Sequence, residues 1–247
     1  MDYLCRVIRI VVILALAVPA QADVEGARSI EVAPDAHLEP IDTMKGGKIM
    51  LPNPSHHGTV SVEEAIKGRR TVRSFSSSPL TLAQLSQLLW AAQGITDERE
   101  GFRAAPSGGA LYPLDVYAIA GEKSVAGLDA GAYRYIPREH CLEKSAEGDR
   151  RNKVARAALD QDWMATAPVI LVITAEYPRI TGKYGERGRR YAQIEAGHVG
   201  QNIFLQAEAL GLAAGIAGAY RDREMAGAIG ALPGHEPLSV MPVGYKK

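Results

Sequence analysis

From Pro168 to Ala175 the chain reads Pro-Val-Ile-Leu-Val-Ile-Thr-Ala, with no charge and five β-branched side chains. Alternate residues of a strand point to opposite faces. A strand of this composition is apolar on both faces, so it belongs at the centre of a sheet covered on both sides. The chain therefore needs helices to cover it. Ser61-Val62-Glu63-Glu64 supplies a cap and an acidic first turn, and Gly68 closes that helix. Thr81 caps a second, in which Leu82, Leu85, Leu88, Leu89 and Ala92 form one stripe, and Gly94 ends it. Asp149–Leu159, Tyr191–Leu210 and Asp222–Ile229 read as further helices. Leu114–Ala120, Ala213–Tyr220 and Leu238–Val243 read as strands, and Gly131–Leu142 as one or two, turning at Pro137-Arg138-Glu139. Strict βαβ alternation is missing, which gives an α+β class with one mixed sheet between helices. No repeat or linker interrupts residues 59–247, so they form one domain.

The first 22 residues stand apart. Arg6 and Arg9 precede an apolar run from Ile10 to Val18, followed by Pro19 and Ala20-Gln21-Ala22. The run is shorter than the roughly 20 residues that span a bilayer. A charged start, a short apolar core and a small-residue site, in that order, favour a secretory signal peptide over a buried helix. Cleavage after Ala22 would leave a periplasmic or secreted protein with no membrane anchor; a misread N-terminus would leave it cytoplasmic. Residues 23–58 hold Pro34, Pro40, Pro52 and Pro54 and no sustained period, as expected of a flexible arm. His56-His57 lack partners at ligand spacing, and no metal is expected. Removal of Cys5 leaves Cys141 as the one thiol, in an alternating stretch that half-buries it. Lys+Arg and Asp+Glu balance at 28 each, so no global field draws in nucleic acid.

Three short stretches carry possible chemistry. Arg69-Arg70-Thr71-Val72-Arg73 sets three guanidiniums and a hydroxyl just beyond a helix end. That pattern fits a phosphate cradle and equally fits cations on a helix C-terminus. Ala105-Pro106-Ser107-Gly108-Gly109-Ala110-Leu111-Tyr112-Pro113 is a tight small-residue loop, either a ligand loop or a plain turn. Gly215-Ile216-Ala217-Gly218 lacks the first glycine of a dinucleotide fingerprint and follows a helix, which rejects that fingerprint but leaves a strand that a ligand can approach. Glu195-Ala196-Gly197-His198 has Glu-x-x-His spacing with no second copy, so a di-metal site is rejected.

Together these stretches resemble the nitroreductase-type flavoproteins, in particular the SagB-type dehydrogenases that include azoline oxidases. The likeness is carried by Arg69–Phe75, Pro79–Gly94, Pro106–Pro113, Lys183-Tyr184-Gly185-Glu186-Arg187 through Tyr191, Glu195–His198 with Gln201-Asn202, and Met241-Pro242-Val243-Gly244. The resemblance implies a nitroreductase-like fold and an intertwined homodimer with FMN at the subunit interface. It implies that Arg69, Arg70, Thr71 and Arg73 hold the phosphate and ribityl chain. It implies that Pro106, Ser107 and Gly108 approach the ring from the partner chain, and that Ile216, Ala217 and Gly218 lie along it. The expected activity is FMN-dependent oxidoreduction by ping-pong hydride transfer on a small-molecule or peptide substrate. A scaffold that binds flavin or peptide without turnover is the alternative. Ala110 replaces the Asn of many classical nitroreductases, which weakens a role in nitro-group reduction. Lys246 is the residue near the C-terminus available in place of the cations a longer tail supplies. No side-chain acid or base is assigned; Tyr184, Arg187, Arg190 and Tyr191 are candidates for the substrate side. An exported enzyme has no nicotinamide supply, which favours oxidation of a substrate with electrons passed to oxygen or another acceptor.

Overall fold

The computed structural model describes residues 43–44 and 47–247. The expected signal segment, the mature N-terminus and most of the arm lie outside the described residues. The described residues belong to one compact unit. Among them no helix is long and apolar enough to cross a membrane.

The elements in order are β1 (Thr43–Met44), β2 (Lys48–Met50), α1 (Val62–Gly68), α2 (Leu82–Gln93), β3 (Ile95–Asp97), β4 (Phe102–Arg103), β5 (Leu114–Ala120), β6 (Gly131–Ile136), β7 (Cys141–Glu147), α3 (Arg151–Ala157), β8 (Val169–Ala175), α4 (Pro178–Tyr184), α5 (Arg187–Ala209), β9 (Ala213–Ala214), α6 (Asp222–Ile229) and β10 (Glu236–Gly244). Eight strands form one sheet in the order β1-β2-β7-β6-β5-β8-β10-β9. β8 is flanked by β5 and β10, and every residue of β8 and β5 is buried, as the apolar run requires. The named strand pairs are antiparallel. Parallel bridges join Thr71 to Ala214 at the sheet edge and Leu80 to Val125.

Alternation along β8 divides the core. Val169, Leu171 and Ile173 face Leu85, Leu88 and Leu89 of α2 and Val199 and Ile203 of α5. Ile170 and Val172 face Val154 of α3 and Met225 and Ile229 of α6. Each fully buried leucine of α2 contributes about 1.5–3 kcal/mol of apolar transfer free energy. Both N-terminal helices carry complete capping boxes, Ser61 with Glu64 and Thr81 with Gln84.

The structure departs from the sequence expectations in several elements. The strand expected over Ala213–Tyr220 is the two-residue β9 followed by a bridge of Ala217 to Val240. The long helix starts at Arg187 rather than Tyr191, and α4 precedes it. Gly182, Gly185 and Gly188 depress helix propensity there, but Pro178 at the first turn and Ile180 in the core start the helix regardless. β7 runs on to Glu147, and β10 begins at Glu236. Lys48–Met50, within the expected arm, pairs with β7, and His56 stacks on Trp90 with ring centroids 5.2 Å apart. Cys141 is fully buried, and burial pushes its thiol pKa up, which leaves it inert.

Candidate functional site

The basic stretch leaves α1 and joins the sheet edge. Val72 N–H donates to Ala214 O at 2.9 Å, alongside the Thr71–Ala214 bridge. Arg70, Thr71 and Arg73 are exposed. Arg69 lies over the Phe204 ring at 5.4 Å and Arg73 over Trp163 at 5.7 Å. Arg70 Nη1 donates to Lys67 O at 2.9 Å, so part of its guanidinium does cap α1. A cavity of about 220 Å3 opens beside it, lined by Gly68, Arg70, Val72, Glu208 and Lys246. Lys246 is held there by a bridge to Phe75. Glu208 offsets one of the charges, and the guanidiniums with Lys246 keep the surroundings cationic.

The same edge continues into Ile216–Gly218. Ala217 exchanges backbone hydrogen bonds with Val240 at 2.9 and 3.0 Å. The N–H groups of Ile216 and Gly218 alternate away from that ladder and find no acceptor among the described residues. Gly215 has to be glycine: a Cβ would stand 2.6 Å from Val72 O and 2.8 Å from the Trp163 ring. A Cβ on Gly218 would meet nothing within 4 Å, so this strip is open. Cations, free N–H donors and an open, side-chain-poor strip fit a phosphate-bearing flat ligand.

The Pro-Ser loop forms a second cavity of about 380 Å3, lined by Pro106, Ser107, Gly108, Tyr184, Tyr191, Ile194, Glu195 and His198. Gly109 has φ +65°, and a Cβ there would stand 2.6 Å from Tyr184 Oη and 3.1 Å from Lys183 Nζ. Lys183 therefore reaches the loop; the sequence placed it in a stretch shared with the family but gave it no role at the site. Tyr184 packs edge-on to Tyr191 at 5.2 Å. Arg187 stacks over Tyr191 at 5.9 Å from its ring, while Arg190 is exposed. Ser107 Oγ donates to Glu195 Oε2 at 2.6 Å and accepts from Tyr112 N–H at 2.9 Å. Burial raises the Glu195 carboxyl from 4.5 to about 7.

The two cavities lie on different flanks of α5. Glu195 beside one and Glu208 beside the other are separated along that helix by about 20 Å and turned by about 140° around its axis. Between them runs an exposed stripe of Ile194, Gly197, His198 and Gln201. Elsewhere, Asp115, Glu176 and His235 come within ligand distance of one another. Arg179 pairs with both carboxylates, at 2.9 and 2.6 Å, and offsets their charge.

The nitroreductase family model matches residues 66–245. The chain belongs to the nitroreductase family. This nitroreductase-family protein is 42% identical over 205 residues to MJ1384 of Methanocaldococcus jannaschii, a nitroreductase candidate by name, across 83% of this chain and 98% of that one. It is 25% identical over 205 residues to the microcin B17-processing protein McbC of Escherichia coli, across 80% of this chain and 74% of McbC. A nitroreductase candidate of Ralstonia eutropha has a solved structure that matches with TM-score 0.71 and 30% identity, covering 81% of this chain and 90% of that chain. The nitroreductase-like α+β fold expected from the motifs is thereby established, and the likeness to McbC supports the SagB-type branch. Membership makes the chain an oxidoreductase of flavoprotein type.

Proposed function

We propose that this nitroreductase-family protein is an FMN-dependent oxidoreductase that works as a homodimer, each flavin lying between the cradle of one chain and the Pro-Ser loop of the other. The observation that carries the reading is the continuity of Arg69–Arg73 with the open Ile216–Gly218 strip at one sheet edge. Arg69, Arg70, Thr71, Arg73 and Lys246 would hold the phosphate and ribityl chain. Ile216, Ala217 and Gly218 would support one face of the ring, with a free N–H directed at its edge. Pro106, Ser107 and Gly108 of the partner subunit would cover the opposite side. Bound there, FMN supplies hydride transfer, received from a donor and passed to an acceptor in two half-reactions. Tyr184 Oη and Lys183 Nζ are the side-chain groups at the cavity mouth able to give or take a proton from a substrate. The likeness to a microcin-processing protein supports a peptide substrate, with a small molecule as the alternative.

Homodimerisation is supported by the exposed stripe of α5 and by Val62 and Ile66 on α1, which are 63% and 54% exposed. Export to the periplasm, with an acceptor other than nicotinamide, belongs to the same proposal and rests on residues 1–22 of the sequence.

The test is the visible spectrum of the purified protein after FMN is added and the excess removed. A retained oxidised-flavin spectrum is expected. In the variant Arg70→Ala/Arg73→Ala, loss of two charge-assisted contacts of about 1.5–3 kcal/mol each should weaken retention on the order of a hundredfold or more. Unchanged flavin content in that variant would remove the phosphate assignment. A flavin that is retained but reduced by no donor would favour the binding module without turnover.

A further inference from the structure

Glu195 sits in the middle of α5 and is 2% exposed, yet it lines the Pro-Ser cavity. Its Oε2 accepts from Ser107, while its Oε1 is buried without a close hydrogen bond; the Gln93 side chain, whose Nε2 is likewise unpartnered, bears on the same carboxyl. Ser107 is equally constrained from its other side, since Oγ accepts the Tyr112 N–H. A serine hydroxyl has one proton and two lone pairs. With Glu195 ionised, the Ser107 proton is committed to the carboxylate and one lone pair to Tyr112. The cavity then meets the remaining lone pair, an acceptor. With Glu195 protonated, the carboxylic acid can donate to Ser107 Oγ. Both lone pairs are then occupied, and the Ser107 proton turns to the cavity as a donor.

We propose that Glu195 is a positioning residue whose own proton decides whether Ser107 offers the bound ligand a hydrogen-bond donor or an acceptor. This rests on the flavin reading for its consequence: a donor at the ring edge favours the reduced, more negative flavin, and an acceptor opposes it. The proton moves between solvent and Glu195, so no other reactant is needed. Arg103 of β4 faces Glu195 and binds Gln93 Oε1 at 3.0 Å. Asp115 and Arg179 stand behind Arg103. Tyr184 of α4, Tyr191 and His198 of α5 line the cavity, and Lys183 reaches the loop at Gly109. Of these, only Glu195 bonds Ser107 directly.

Two measurements on the full chain test this. The first is the NMR shift of the Tyr112 amide against pH, without flavin. It should titrate near pH 7 in the wild type and in His198→Gln, and lose that step in Glu195→Gln. The second is the midpoint potential of bound FMN against pH. It should show an added inflection near pH 7 that both Glu195→Gln and Ser107→Ala abolish and His198→Gln keeps. A Tyr112 amide that does not titrate, or titrates unchanged in Glu195→Gln, overturns the proposal. So does a flavin potential whose inflection survives in Glu195→Gln or disappears in His198→Gln. A Tyr112 step in a protein that holds no flavin supports the hydroxyl switch while refuting the flavin reading.

Discussion

At position 195 burial holds a carboxyl group near neutrality, and this makes folding stability depend on pH. The folded-state pKa is raised from 4.5 to about 7. Below about pH 4.5 the group is protonated in both folded and unfolded chains and contributes no difference. Between there and pH 7 the unfolded chain releases the proton while the folded chain keeps it, so Glu195 increasingly destabilises the fold; above pH 7 the penalty is complete. Glu195→Gln, which never ionises, should therefore match the wild type near pH 4.5 apart from a constant offset. Its advantage should grow by on the order of 2–3 kcal/mol at pH 8. Urea denaturation of the flavin-free protein at the two pH values measures this, and an offset that does not change with pH would rule Glu195 out as the titrating group. In the sequence the Glu-x-x-His spacing was a rejected metal motif and part of the family likeness, and neither gave Glu195 its role, because its partner Ser107 lies 88 residues away. Lys246 is a similar case: only the bridge to Phe75 turns it toward Arg70. Gly215 stood out in the sequence for a ligand's approach, whereas what demands glycine there is Val72 O and the Trp163 ring, brought in from distant parts of the chain.

Elements whose signals are local were readable, and those fixed by distant contacts were not. Capping boxes define α1 and α2, and the apolar run defines β8. The break after β9 was not readable. The stretch is β-like throughout, but only two of its residues pair along β10 before the chain peels away to the bridge at Ala217. α4 was missed because Gly182 within it and Gly185 and Gly188 after it dilute the pattern, while its stability comes from Ile180 packing in the core. Asn202 shows how elements are joined. Its Nδ2 donates to Ala91 O at 3.0 Å and Ala104 O at 3.2 Å, fastening α5 to the end of α2 and the loop beyond β4. Ala91 is among the last carbonyls of α2, which the helix itself cannot satisfy. Asn202→Ala should cost about 1–3 kcal/mol, because two partly buried carbonyls lose their donor. Chemical denaturation measures it, and a loss under about 0.5 kcal/mol, the level of an ordinary surface change, would mean that packing alone joins these helices.

For the whole molecule, each stretch of the site could be found in the sequence, but their arrangement on opposite flanks of α5 is a property of the fold. Helix geometry sets Glu208, beside the cradle, and Glu195, beside the Pro-Ser loop, about 20 Å apart along α5 and about 140° apart around it. On the proposed reading, a flavin seated on Arg69–Arg73 and Ile216–Gly218 takes its Pro-Ser loop from a second chain. This can be checked by mixing two defective chains. Arg70→Ala/Arg73→Ala removes the cradle. Gly108→Leu fills the loop cavity, where a Cβ alone has ordinary contacts with Ile180 and Tyr191. Each variant should be colourless by itself. In a mixed dimer one interface combines both defects, whereas the other pairs an intact cradle with an intact loop. Random mixing, with half of the dimers mixed, should recover about a quarter of the wild-type flavin. Refolding the variants together and reading flavin absorbance against protein measures it. Recovery of that order requires a site shared across a twofold interface; a mixture as colourless as its components, with mixed dimers demonstrated by mass, would put the whole site within one chain and overturn the shared arrangement.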